Sequence, residues 1–142
     1  DKEAVKWYLK AAEQGDADAQ YSLALMYDIG KDVLKDDKEA VKWYLKAAEQ
    51  GHANAQYFLA LMYHNGQVVD QDYKQALYWY TRAAEQNYPP AQLDLSEMYL
   101  AGNGVDVDIE KAKYWLGKAE ENGVAEAQEL LDILENIEKT ND

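Results

Sequence analysis

The chain has 142 residues, no cysteine, and 14 basic against 27 acidic side chains, a formal net charge of −13. With 48% hydrophobic residues it is too apolar for a disordered acidic tail, and one domain with a buried core is expected. The charge disfavours a nucleic-acid binder, and the lack of cysteine excludes disulfides and thiolate metal sites. We expect no membrane span and no signal peptide, because no apolar run reaches roughly 18 residues and the chain opens DKEAVKWYLK.

The first predicted element is an amphipathic helix in residues 1–15, and this segment recurs letter for letter at 37–51. The offset is 36 residues, and 27 of the 36 positions in 1–36 match those in 37–72. Each unit predicts a first helix, which carries an Ala-Gln pair, and a second helix, which carries a Trp. Residues 1–15 match a second helix without its preceding first helix and without its capping Asp, so the chain is expected to be a fragment of a longer array.

The predicted organisation is all-α and forms one repeat domain over residues 1–142. Antiparallel helix pairs of this kind stack into a solenoid because one pair cannot bury its apolar face alone. The predicted boundaries are 1–15 for the second helix of a truncated unit, 17–50, 53–86 and 89–122 for full units, and 125–138 for a terminal capping helix.

Fixed residues recur at the 36-residue spacing and predict the core. The Trp and Tyr residues of these positions are expected to pack in the core rather than form an aromatic ligand site. Acidic residues are expected to cap the second helices. The recurring tryptophans are Trp7, Trp43, Trp79 and Trp115, and the predicted N-caps are Asp36, Asp72 and Asp108.

The unit AQYFLALMYHNGQVV at 55–69, followed by DYKQALYWYTRAAEQN at 72–87, resembles the Sel-one-like repeat (SLR) family, a relative of the tetratricopeptide repeats. The segment AGNGV at 101–105 also fits the family pattern. The resemblance implies a right-handed α-α superhelix that serves as a protein-protein interaction scaffold or adaptor, as in bacterial and eukaryotic members. A secreted bacterial subgroup has paired cysteines, and penicillin hydrolysis has been attributed to some of its members; a chain without cysteine lies outside that subgroup.

Residues that could carry chemistry are few, and we expect no catalytic residue, no cofactor and no metal site. His52 and His64 are not repeated in other units and are interpreted as exposed turn or surface residues. Ser22 and Ser96 lack a nucleophile-elbow context. The run from Asp106 to Glu110 lacks the spacing of a calcium loop, which favours a helix cap at Asp108.

The candidate partner-binding surface is a set of positions on the first helices. A helical wheel places these positions on the side of each helix that faces away from the core. In solenoids of this type these helices line the concave side. Six of the nine residues are apolar, and exposed apolar stripes mark interaction sites. The alternative is that solenoid curvature buries them between neighbouring first helices. This first-helix stripe comprises Tyr21, Leu25, Asp28, Tyr57, Leu61, His64, Leu93, Glu97 and Leu100.

The expected partner is another protein or a peptide, with basic residues flanking an apolar segment. Residues 94–142 hold 13 acidic and 4 basic side chains, which is consistent with a solvated cap or with a patch that steers a basic partner. The main hypothesis is a non-catalytic scaffold that binds a peptide or helix on the concave face. The alternatives are a self-assembling array that stacks through the truncated N-terminal end, and a hydrolase that uses surface carboxylates. The compartment is not predicted.

Overall fold

The computed structural model describes residues 1–141, which form eight α-helices in sequential antiparallel pairs. Each helix packs against the next one along the chain. The first helices of the units are α2, α4, α6 and α8, and the second helices are α1, α3, α5 and α7. Their bounds are α1 Lys2–Glu13, α2 Ala17–Ile29, α3 Asp37–Glu49, α4 Ala53–Asn65, α5 Tyr73–Glu85, α6 Pro89–Ala101, α7 Ile109–Glu121 and α8 Ala125–Asn141.

Side-chain caps start most of these helices where the sequence predicts them. Asp36, Asp72 and Asp108 accept hydrogen bonds from backbone N–H groups in the first turns of α3, α5 and α7. An accepted bond of this kind satisfies an orphan donor of the helix N-terminus. The expectation that α1 lacks a capping Asp is wrong, because Asp1 takes the role and accepts from the Ala4 N–H at 2.8 Å.

The core follows the recurring positions of the sequence. The alanines at these positions are buried in α3, α4, α5 and α6, and so are Trp43 and Trp79. Trp115 is partly buried, whereas Trp7 is 67% exposed because no helix covers that face of α1. The prediction of a Trp-lined core is therefore confirmed for two of the four tryptophans.

A ladder of buried amides joins successive repeats at the turn between helices. Gln56 donates from Nε2 to the Ala48 carbonyl at 3.0 Å, and its Oε1 accepts from Gln86 Nε2 at 2.9 Å. Equivalent pairs join Gln50 to Gln20 at 2.8 Å and Asn122 to Gln92 at 3.0 Å. Because every buried amide needs partners, the Gln that follows Ala in α2, α4 and α6 fixes the position of one repeat on the next.

The loops between first and second helices repeat one left-handed backbone position. Asp32, Val68 and Gly104 occupy it with φ of 63°, 68° and 71°. A β-branched residue is strained in this region, whereas glycine is not. Val68 is therefore the strained member of the three.

The last helix, α8, is three residues longer than the predicted 125–138. It packs on α7 through a small apolar cluster that includes Leu116, Ala119 and Ala127. Asp132 stands at the repeat position of the buried Ala60 and Ser96, and it is exposed. Within residues 1–141 no helix is long and apolar enough to cross a membrane.

Candidate partner-binding face

The nine residues of the first-helix stripe lie three each on α2, α4 and α6, in equivalent repeat positions. Glu97 is exposed and the other eight are only partly exposed. The expectation that this face points freely into water is thus wrong in part. Tyrosines of the second helices supply part of this cover. Tyr44 lies beside Tyr21, and Tyr80 lies beside Tyr57.

Tyr57 connects two of these helices. Its hydroxyl donates to Asp94 Oδ2 at 2.8 Å, and its ring stacks on Tyr88 with centroids 5.3 Å apart. Burial, reinforced by the bond to Asp94, raises the pKa of the Tyr57 hydroxyl, so it remains a proton donor. Tyr57 is therefore a structural link between α4 and α6 as well as part of the surface.

Burial raises the pKa of Asp94, while the Tyr57 hydrogen bond and nearby His64 oppose the rise. The pKa of Glu97 is also raised, by desolvation first and then by repulsion from Asp94 and Glu126. The three carboxylates thus form one acidic group, contributed by α6 and the first turn of α8. Within residues 1–141 none of the three has a Lys, Arg or His within ion-pair distance.

His52 is not the exposed turn residue that the sequence predicts. Its side chain is 14% exposed, and Nδ1 accepts from the Ala55 N–H at 3.2 Å as the N-cap of α4. The ring stacks on Tyr21, at 4.6 Å between centroids, and Nε2 lies 3.1 Å from Asp18. The interpretation failed because the covering ring of Tyr21 comes from the preceding repeat.

His64 is also more enclosed than predicted. Its ring meets the edges of Tyr73 and Tyr80, with centroids 5.4 and 6.0 Å away. Its Nδ1 is buried and has no hydrogen-bond partner in the described part of the chain. The equivalent residue of α2, Asp28, instead accepts from the Tyr44 hydroxyl at 3.3 Å. A single histidine in such a setting has no metal-ligating partner, and residues 1–141 contain no cluster that could hold a metal ion.

An open groove of about 560 Å³ adjoins the stripe between α2 and α4. Phe58, Leu61 and Met62 supply apolar walls, and Val68 closes one side. Asp28 and Lys35 lie at its polar rim, where the Lys35 ammonium donates to the Asp28 carbonyl at 2.6 Å and to Asp37 at 2.8 Å. This cavity can accept an apolar side chain.

Sequence reasoning missed Phe58, Asp94 and Tyr88 as members of this face. Phe58 and Asp94 occupy one repeat position, held by Ser22 in the first full unit, and Tyr88 occupies the position of His52. Both positions change chemistry from unit to unit, and this variation was the available signal.

The comparisons with known proteins agree with this architecture. Four consecutive stretches, residues 1–16, 17–52, 53–88 and 89–124, match the Sel1 repeat. The chain belongs to the Sel1 repeat family. The resemblance seen in the sequence is thereby confirmed, together with the all-α fold of antiparallel pairs.

Solved bacterial structures share this Sel1 fold. A Sel1 repeat protein from Oxalobacter formigenes is 37% identical with a TM-score of 0.84, over 88% of this chain and 94% of its own. The protein c5321, a protective antigen of uropathogenic Escherichia coli with an SLR fold, is 42% identical with a TM-score of 0.83 over 87% of this chain but only 27% of its own.

A third similar structure belongs to a cysteine-containing relative. Helicobacter pylori cysteine rich protein B is 26% identical with a TM-score of 0.70, over 91% of this chain and 92% of its own. This chain shares the fold but has no cysteine. No curated protein matched.

Proposed function

We propose that this Sel1 repeat chain is a non-catalytic scaffold that binds a peptide or a helix on the concave, first-helix face. Sel1 repeat solenoids typically act as protein-interaction scaffolds. The observation that carries the proposal is the run of half-covered apolar side chains on three successive first helices. Leu25, Leu61 and Leu100 remain partly exposed in the folded chain, and an exposed apolar stripe marks an interaction surface.

The variation among repeats supports the same face. Core positions hold the same residue in successive units, whereas the stripe changes from Asp28 to His64 to Leu100. The outer face of the second helices keeps its charges between α1 and α3, where Lys6 and Lys10 match Lys42 and Lys46, and carries Tyr78 and Tyr114 in the next two units. Variable side chains on a fixed frame suit a surface that recognises one particular partner.

The test is an affinity comparison of the intact chain with a variant that carries Leu61→Glu and Leu100→Glu. Tyr57 is avoided because its loss would also break the bond to Asp94. We expect the double variant to keep its helical circular dichroism and to lose partners that the intact chain retains. The control replaces Lys6, Lys10, Lys42 and Lys46 by Gln. Partners that survive the first change and are lost in the second would place the site on the second-helix face.

A second candidate function is self-assembly, favoured by the exposed face of α1. Trp7 is 67% and Tyr8 39% exposed, whereas Trp43 and Tyr44 at the identical positions of α3 are buried by the preceding helix. Exposed aromatics of this kind could stack on another copy. The molecular mass in dilute solution tests this candidate: a mass of two or more chains supports self-assembly, and the mass of one chain contradicts it.

A further inference from the structure

The two ends of the first-helix face differ in chemistry. At the α2–α4 end, the groove presents Phe58, Leu61 and Met62, and the carboxylate of Asp37 is already paired with Lys35. At the α6–α8 end, Asp94, Glu97 and Glu126 repel one another and have no cationic partner within residues 1–141. One end is therefore an apolar groove whose rim holds the Lys35–Asp37 ion pair and the Asp28 carboxylate, and the other carries three carboxylates without a cation at ion-pair distance.

Two details of the fold maintain this difference. Val68 has a strained φ of 68°, is 47% exposed and lines the groove. The turn itself does not require this side chain, because Gly104 adopts the same backbone conformation at the equivalent position. At the other end the Tyr57 hydroxyl holds only Asp94, leaving Glu97 exposed to the solvent side of the face. The apolar wall and the free carboxylate are thus both presented outward.

We propose that this face binds its partner segment in one register, with an aliphatic or aromatic side chain in the α2–α4 groove and a Lys or Arg side chain at Glu97 and Glu126. The proposal rests on the proposed function and specifies the chemistry of its partner. Charge complementarity selects the occupant, because a cation at the α6–α8 end relieves the repulsion among three carboxylates. A neutral or acidic partner would leave that repulsion in place.

The probe is a set of peptides selected from a phage-displayed random library on the intact chain and then synthesised with a fluorescent label. We expect the selected peptides to combine a large apolar residue with Lys or Arg. Their binding is measured by fluorescence anisotropy at low and high salt. The electrostatic part should weaken at high salt, where the Debye length falls to about 3 Å at 1 M.

Double-mutant cycles then locate each peptide residue on the protein. Glu97→Gln with Glu126→Gln should weaken the basic peptide about 10-fold at low salt, the size of a charge-assisted contact, and should leave its Arg→Gln form unchanged. Glu110→Gln with Glu120→Gln makes the same change in net charge on α7 and is the matched control. Leu61→Ala should couple to the apolar peptide residue, with Leu45→Ala on α3 as its control.

The outcomes separate the two proposals. The register is overturned if the peptides bind the groove through Leu61 but carry no basic residue. It is also overturned if their affinity is unchanged when Glu97 and Glu126 are replaced. Either result leaves the proposed function intact. Coupling of the basic residue to Asp28 rather than to Glu97 also overturns the register. A library that yields no peptide, or peptides indifferent to both Leu61 and Glu97, counts against both proposals.

Discussion

Two identical segments, residues 1–15 and 37–51, place a tryptophan in the same local sequence but in different surroundings. Trp43 is 3% exposed and Trp7 is 67% exposed. Because helix propensity and neighbouring residues are the same, replacing each by Ala isolates the effect of burial. We expect Trp43→Ala to destabilise the chain far more than Trp7→Ala.

The magnitude follows from the buried area. A buried Trp removes about 200 Å² from water, which at roughly 25 cal/mol per Å² amounts to ~5 kcal/mol, at the top of the ~3–5 kcal/mol range measured for such truncations. Trp43 Nε1 is buried without an acceptor in the described residues, so its removal recovers part of this, and we expect a loss of about 3–4 kcal/mol. Trp7 buries about a third of its surface, which gives about 1–2 kcal/mol.

The assay is urea unfolding followed by far-ultraviolet circular dichroism, which does not depend on tryptophan. Both variants should keep the slope of the wild-type transition, so that a shift in midpoint reports stability. Equal losses for Trp7→Ala and Trp43→Ala would show that the α1 face is covered in solution. Measurement of the molecular mass would then show whether a second copy covers it.

Three further predictions concern the amide ladder, the loop and the carboxylates, and each is measured by urea unfolding. Gln56→Leu should cost about 2–3 kcal/mol of stability because it leaves the Ala48 carbonyl and the Gln86 side-chain amide without their partner. Gln128→Leu on the exposed side of α8 should cost almost nothing. Equal effects of the two substitutions would contradict the ladder. Val68→Gly should stabilise by about 1 kcal/mol through relief of a left-handed strain, and Gly104→Ala should destabilise because the new Cβ would lie 2.8 Å from Tyr73 Cβ. Because the fold raises the pKa of Glu97, the contribution of this residue to stability is present at low pH and is lost as pH rises through the raised value. Glu97→Gln should therefore stabilise the chain at pH 7 and have no effect below about pH 4. The same change in stability at both pH values would refute this prediction.

The repeat itself made most of the fold predictable. The Trp and Ala positions recur at a fixed spacing, so a single helical wheel applied to residues 37–50 places the core of every second helix. The caps at Asp36, Asp72 and Asp108 were equally readable, because capping depends on residues within one turn. The Gln residues were visible as a recurring position, but their bonds to the next repeat were not, since those bonds join residues 30 positions apart.

The candidate site was predicted less well for the same physical reason. A helical wheel shows which side of α4 faces its own partner helix, but it does not show that Tyr80 of α5 and Asp94 of α6 contact Tyr57. That coverage converts Tyr57 from a free anchor into a link to Asp94, at 2.8 Å. It also explains why His52 is stacked on Tyr21 rather than exposed. The surface of this face that a partner can reach consists of the side chains beside the groove and of the carboxylates at the α6–α8 end.

Variation between repeats therefore has a structural interpretation. A solenoid repeats its interfaces, so a position that must fill the same space in each unit keeps its residue, as Leu23, Leu59 and Leu95 do in the core. The position shared by Ser22, Phe58 and Asp94 is free of that constraint and supplies an apolar wall in one repeat and a carboxylate in the next. Two of these side chains also contact the preceding first helix, Phe58 through Tyr21 and Asp94 through Tyr57. The chain thus sets apolar and charged contacts one repeat at a time, and the register proposed for the partner follows from that order.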